Sequence, residues 1–156
     1  MKQLDALNQV AEFHRTFGHP ILPVPAIPSK ERCALRVALI REELHELETA
    51  IQNNDIVEIA DALCDIQYVL SGAVLEFGLG EKFRELFDEV QRSNMSKRCI
   101  SEDEARATVE HYRKSKGVEA YYTHQDGHYQ VYRTADNKTL KSINYSPANL
   151  ESILGK

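Results

Sequence analysis

Apolar residues recur at intervals of three and four along most of this chain, and beyond Gly117 the interval shortens to two. Leu4, Leu7, Val10, Ala11 and Phe17 predict a first helix over about residues 2–17, stopped by Gly18 and by Pro20, Pro23, Pro25 and Pro28. The proline run reads as a stiff, extended segment, a connector in preference to a lid beside the site. Ser29 is placed to cap a second helix reaching about Gln52, with Val37, Ile40, Leu44, Leu47 and Ile51 as its apolar stripe. Asp55 is placed to cap a third, reaching about Phe77, whose stripe Ile59, Leu63, Ile66, Leu70 and Ala73 is flanked by Val57, Ala60 and Cys64. This third helix is apolar around much of its circumference, so Leu63 and Cys64 are expected inside. Gly78 and Gly80 end it, and Phe83, Leu86, Phe87 and Val90 predict a fourth over about Glu81–Arg92. Turns this short make neighbouring helices antiparallel.

The remainder of the chain changes character. Ser101 followed by Glu102, Asp103 and Glu104 opens a further helix that Gly117 closes. Val118, Ala120 and Tyr122, then Tyr129 and Val131, alternate about Asp126-Gly127, a hairpin signal, and a short helix is expected after Pro147. The predicted fold is all-α: an antiparallel bundle of about four core helices with a C-terminal helix and a small β-hairpin appended. The expected division is a helical catalytic core over residues 1–97 and an extension over 98–156, packed on the core or on a partner subunit.

The polar positions within the second and third helices carry the chemistry. Glu42, Glu43 and Glu46 lie on the first of these, and Glu58, Asp61 and Asp65 share one face of the second. Arg36 and Arg41 are the only nearby cations. Carboxylates brought together on packed helices repel, and each is costly to desolvate unless paired or bound to a cation. An oxygen-only donor set without a Cys/His cluster suits hard Mg²⁺, or Mn²⁺, better than zinc. Glu42-x-x-His45 is half of a di-iron bundle motif, but neither the third nor the fourth helix supplies the second half.

Composition narrows the class. At 156 residues with 42% hydrophobic and 28% charged content, the chain reads as one ordinary globular protein. A net charge of −5 argues against coating a nucleic acid, whose phosphates are held by clustered Lys and Arg. No apolar run approaches the roughly 20 residues that span a bilayer. Cys33, Cys64 and Cys99 are odd in number and lack CxxC spacing, which predicts free thiols and a cytoplasmic setting.

The acidic pattern resembles a known signature. Glu42-Glu43-x-x-Glu46 followed by Glu58-x-x-Asp61 is similar to the EExxE…ExxD motif of the MazG-like, all-α nucleoside triphosphate pyrophosphohydrolases, a superfamily that includes dimeric dUTPases and phosphoribosyl-ATP pyrophosphohydrolase. Phe17-Gly18-His19-Pro20, Ser93-Asn94-Met95-Ser96-Lys97 and Lys141-x-x-Asn144-Tyr145-Ser146-Pro147 resemble further blocks of one branch, so the likeness covers about residues 10–97 and a piece near the C-terminus. Asp65-Ile66-Gln67-Tyr68 also resembles the stretch that follows a metal-binding acid in relatives, which leaves Glu58/Asp61 and Asp61/Asp65 as alternative second pairs.

The resemblance implies a Mg²⁺-dependent (or Mn²⁺-dependent) enzyme that cleaves a nucleoside triphosphate to monophosphate and pyrophosphate. Glu43, Glu46, Glu58, Asp61 and Asp65 are the expected metal ligands, and Glu42 and Glu46 the expected proton acceptors. Arg36, Arg41, Tyr68, Asn94, Lys97, Lys141, Asn144 and Tyr145 are the expected substrate contacts. A homodimer or larger homo-oligomer is implied. The alternatives are a nucleotide-binding dimer without turnover and a hydrolase of another pyrophosphate such as phosphoribosyl-ATP.

Overall fold

A computed structural model describes residues 4–155; the expected start of the first helix at residues 2 and 3 lies outside them. The chain forms six α-helices and a two-stranded antiparallel sheet among these residues, the all-α architecture with a C-terminal hairpin that the apolar periods predict. By its internal contacts it divides into two compact units, the first ending at Phe83 and the second beginning at Arg84. No single helix among the described residues is long and apolar enough to cross a membrane.

The first unit holds α1 (Ala6–Phe17), α2 (Lys30–Gln52), α3 (Ile56–Glu76) and a 3-10 turn, Gly80–Lys82. The capping residues act as their chemistry requires. The Ser29 hydroxyl accepts from the Arg32 N–H at 3.3 Å, and the Asp55 carboxylate accepts from the N–H groups of Val57 and Glu58 at 3.0 and 3.2 Å. Both α1 and α2 pack on α3. The proline-rich connector is tied to the end of α3, where Leu22 and Ala26 donate their N–H groups to the carbonyls of Leu75 and Phe77, each at 3.1 Å. Val10, Ala11 and Leu75 form the small apolar core there, with Leu7 and Ile21 against it.

Gly78 makes that tie. Its φ is +66°, and a Cβ built on it would stand 1.9 Å from the carbonyl oxygen of Val24. Gly78→Ala therefore adds left-handed strain to a backbone clash and should cost about 2–4 kcal/mol. Urea unfolding of the variant, compared with Gly18→Ala, whose Cβ meets nothing within 4 Å, measures the clash separately from the strain.

The burial of α2 and α3 departs from their apolar stripes. On α2 the buried residues are Arg36 and Ala50, while Val37, Leu44 and Ile51 of the predicted stripe are each about half exposed. On α3 the buried residues are Ala62 and then Ser71, Gly72, Val74, Leu75 and Glu76 toward its C-terminal end. Leu63, expected inside, is 52% exposed, and Cys64 is exposed too. The physical reason is that α2 turns the Arg36, Glu43, Ala50 line toward α3. The bulkier aliphatic side chains are left on the outer face of the pair.

The second unit contains α4 (Phe83–Met95), α5 (Glu102–Lys116), β1 (Ala120–Gln125), β2 (His128–Arg133) and α6 (Leu150–Leu154). The hairpin is as its dipeptide predicts: Asp126 and Gly127 have φ of +52° and +74°, and Gln125 pairs with His128 across the turn. Its strands pack on α5, and Cys99, Ala105, Tyr112, Val131 and Leu140 close the core. Cys99, fully buried, is the core thiol of the described residues in place of Cys64. The last helix begins at Leu150, capped by the Asn149 side chain, a turn later than Pro147 predicts.

Candidate active site

The geometry of the acid cluster follows from how α2 and α3 pair. Near one end Arg36 packs on Gly72, where a Cβ would come within 2.6 Å of the guanidinium. Two turns further along α2 is Glu43, and two turns back along α3 is Asp65, so an antiparallel pair brings these carboxylates opposite each other. Their electrostatics agree. Burial first, then Asp65, Glu46, Glu42 and Asp61, push the Glu43 carboxyl above its usual range. Glu58 is exposed and lies a further two turns back along α3 from Asp65, toward the α2–α3 turn. Glu43 and Asp65 are partly buried, whereas Glu42, Glu46, Glu58 and Asp61 are exposed.

None of these six carboxylates has a hydrogen-bond or ion-pair partner among the described residues, and Arg41 beside them has none either. The donors are hard oxygens without nearby neutralising cations, which fits Mg²⁺ or Mn²⁺ by chemistry. No three His, Cys, Asp or Glu side chains among the described residues converge closely enough to hold an ion between them. The structure thus brings Glu42, Glu43, Glu46, Asp61 and Asp65 into one electrostatic group and leaves them short of a closed coordination shell.

Arg36 is placed elsewhere than expected. Rather than facing solvent for a phosphate, it is 7% exposed and bound to the buried Glu76 carboxylate, which Arg32 also holds. The Arg32 Nε donates to Glu76 at 3.0 Å. His14 completes the cluster: one ring nitrogen meets the Pro20 carbonyl at 2.9 Å and the other meets Arg36 at 3.2 Å. Because the carbonyl requires a donor at Nδ1, Nε2 is the acceptor for Arg36, and the ring is held neutral. Burial lowers the His14 pKa. Burial alone would raise Glu76, but the hydrogen bonds from Arg32 and Arg36 outweigh it and hold the carboxyl below its usual range. Sequence reasoning missed His14 and Glu76; they lie 22 and 40 residues from Arg36 on other helices, so no local signal links them. The cluster fixes α1, the connector, α2 and α3 at the end of the pair next to the acids.

Tyr68, one turn beyond Asp65, is 39% exposed. Phe13 meets it edge-on with ring centroids 5.6 Å apart and stacks on His19 at 5.7 Å, and Phe17 lies 4.5 Å from Phe13. This is an open aromatic surface beside the acids. The Phe17-Gly18-His19-Pro20 block therefore contributes rings as well as a helix stop.

In the second unit the two other sequence blocks meet. Lys97 donates to the Asn94 side chain at 2.8 Å, Lys141 lies 4.1 Å from the centroid of the Tyr145 ring, and the Tyr145 hydroxyl meets Ser93 at 2.9 Å. The Ser93 contact, followed by the charges of Lys141 and Lys97, lowers the Tyr145 pKa. Asn144 is exposed, its N–H donating to the Ser142 hydroxyl. Arg92 binds Ser146 and the Pro147 carbonyl, each at 3.0 Å, which fastens the C-terminal block to α4.

Residues 10–94 match the phosphoribosyl-ATP pyrophosphohydrolase family, a span that contains α2, α3 and every one of the six acids. An uncharacterized protein of Acanthamoeba polyphaga mimivirus is 26% identical over 235 aligned positions, covering 93% of this chain and 94% of the relative. With the acid-lined helix pair in place and more than half of the chain matched, the protein belongs to the phosphoribosyl-ATP pyrophosphohydrolase family, within the MazG-like all-α pyrophosphohydrolases.

Proposed function

We propose that this pyrophosphohydrolase is a Mg²⁺-dependent enzyme that hydrolyses nucleoside triphosphates to nucleoside monophosphate and pyrophosphate. The observation that carries the reading is Glu43: a partly buried carboxyl, raised by four neighbouring acids and left without any cation of the protein beside it. Such repulsion is retained in a fold when a bound cation relieves it. Glu43, Glu46, Asp61 and Asp65 would hold the metal, which when bound supplies charge neutralisation for the triphosphate and a lowered pKa for an attacking water. Glu42 and Glu46, exposed at the edge of the group, are placed to accept that water's proton. Arg41, exposed and unpaired among the described residues, is a phosphate contact that replaces the buried Arg36. Tyr68 and the rings of Phe13, Phe17 and His19 offer a stacking surface for the base. Lys97 and Lys141, with Asn94, Asn144 and Tyr145, form a second set of donors suited to a nucleotide.

Asp61 and Asp65 act on Glu43, and this supports them as the second ligand pair over Glu58 and Asp61. Asp65→Asn should lower kcat/KM by at least about 100-fold and Glu58→Gln by less than about 10-fold. Pyrophosphate release from a panel of ribo- and deoxynucleoside triphosphates and phosphoribosyl-ATP, with Mg²⁺, Mn²⁺ or EDTA, tests both the reaction and this register. Turnover of phosphoribosyl-ATP alone would move the substrate assignment; no turnover by folded protein would favour a binding module.

The half-exposed Val37, Leu44, Ile51, Leu63 and Leu70 on the outer faces of α2 and α3 support assembly as a homodimer or larger homo-oligomer.

A further inference from the structure

The second unit contains a cavity of about 300 Å³ between the segment that follows α4 and the hairpin. Lys97 and Arg98 line it from one side, and Asp126, His128 and Gln130 from the other, with Asn94 at the helix end. We propose that this cavity is a binding site for a small phosphomonoester, with Lys97 and Arg98 meeting the phosphate and the hairpin side chains meeting the group attached to it. The inference rests in part on the proposed reading, in which Lys97 and Asn94 are nucleotide contacts; it adds Arg98 and the hairpin side chains, and it is tested as binding without metal and without turnover.

Three observations carry it. The first is the state of Arg98. Every other arginine of this unit has a carboxylate partner within it: Arg84 with Asp88, Arg92 with Glu89, Arg106 with Glu102, Arg113 with Glu110 and Arg133 with Asp136. The Arg98 guanidinium has no hydrogen bond or ion pair among the described residues, although Asp126 lines the same cavity. Five planar donors remain available, in the geometry that suits phosphate oxygens.

The second observation is that the backbone carrying these cations is fixed. Cys99 and Tyr129 exchange both N–H···O bonds, at 2.8 and 2.9 Å, and Ser142 donates to the Lys97 carbonyl at 3.1 Å. Cys99 turns its side chain into the core, and its neighbour Arg98 is exposed and lines the cavity. Less ordering is then required on binding.

The third is His128, whose Nδ1 is shielded from solvent and has no hydrogen-bond partner among the described residues. Buried ring nitrogens are normally satisfied, and one on a residue that lines a cavity marks a place for a ligand or water. The balance of formal charge on the lining, Lys97 and Arg98 against Asp126, favours an anion before His128 is counted.

The experiment is calorimetric titration of the full chain in EDTA with inorganic phosphate, ribose 5-phosphate, a nucleoside monophosphate and sulfate. Wild type, Arg98→Ala, His128→Gln and Arg84→Ala are compared, with circular dichroism to verify folding. The expected result is saturable binding of at least one phosphomonoester, weakened 10-fold or more by Arg98→Ala and measurably by His128→Gln, and unchanged by Arg84→Ala. Binding of ribose 5-phosphate and the monophosphate alike assigns recognition to the phosphorylated sugar; binding of the monophosphate only assigns it to the nucleoside. Absence of saturable binding overturns the proposal, as does equal affinity for sulfate or an equal effect of Arg84→Ala. If His128→Gln does not fold, the Arg98 and Arg84 pair decides. Asp65→Asn, which addresses the hydrolase site, should leave this binding intact, so loss of turnover and loss of the cavity's ligand are read separately.

Discussion

Glu43→Gln is expected to lower kcat/KM for pyrophosphate release by at least about 100-fold, equivalent to about 2.7 kcal/mol of transition-state stabilisation, while leaving the folded state as stable as wild type or more so. The two halves of this result have one cause. Glu43 is pushed up by burial and by Asp65, Glu46, Glu42 and Asp61, so its ionised form is disfavoured in the absence of a cation, and a bound Mg²⁺ is expected to relieve it. The neutral amide keeps the volume and removes the charge. Glu46→Gln should show the same pairing of lost turnover and retained stability. Denaturation of each variant with and without Mg²⁺ is the measurement, and metal should stabilise wild type more than either variant. A Glu43→Gln chain that unfolds would make the acid structural and end its assignment to the site.

The opposite behaviour is expected of Glu76→Gln. This carboxylate is 1% exposed and is the shared partner of Arg32 and Arg36. Removing its charge leaves Arg36 buried and uncompensated, a change that costs about 3–5 kcal/mol for buried pairs. Arg32 is 31% exposed and regains water, so the lower part of that range applies. Replacing both members, as in Arg36→Met with Glu76→Leu, should recover much of the loss, because the desolvation penalty leaves with the charges. Equilibrium urea unfolding of the two variants decides the matter; a loss below about 1 kcal/mol for Glu76→Gln would remove the cluster from its structural role.

The same cluster sets an acid limit. The folded-state pKa of His14 lies below 6.5, so under that pH the unfolded chain takes up the proton more readily, and stability falls as pH drops from 6.5 toward the folded value. Glu76 has its folded pKa below 4.5, so its contribution is complete above 4.5 and is lost as pH falls through the folded value. Glu43 has the reverse sign: its folded pKa lies above 4.5, and protonation as pH falls toward 4.5 relieves the fold. His14→Gln should therefore flatten the first part of the decline, and Glu43→Gln should remove the compensating rise.

Local chemistry determined much of this protein. Ser29, Asp55 and Ser101 cap the helices they precede, Gly18 and Gly117 close theirs in left-handed conformations, and Asp126-Gly127 turns the hairpin. Each depends on hydrogen bonds or backbone freedom within a few residues, which a one-dimensional pattern records. The six acids were legible for the same reason, since helical spacing alone puts them on shared faces of α2 and α3. What the sequence left open required the partner helix. Apolar periodicity gave the direction of a hydrophobic stripe, but α2 turns Arg36 and Ala50 inward, Arg36 against Gly72 of α3, and leaves Val37, Leu44 and Ile51 half exposed. Pairing at long range decided the role of Arg36, whose partners His14 and Glu76 lie 22 and 40 residues away in the chain. The register of that helix pair sets Glu43 beside Asp65, an arrangement that the spacing within either helix alone does not contain. Spacing fixes which side chains share a surface; packing decides what that surface meets, because burial and Coulomb interaction depend on distances that no single helix contains.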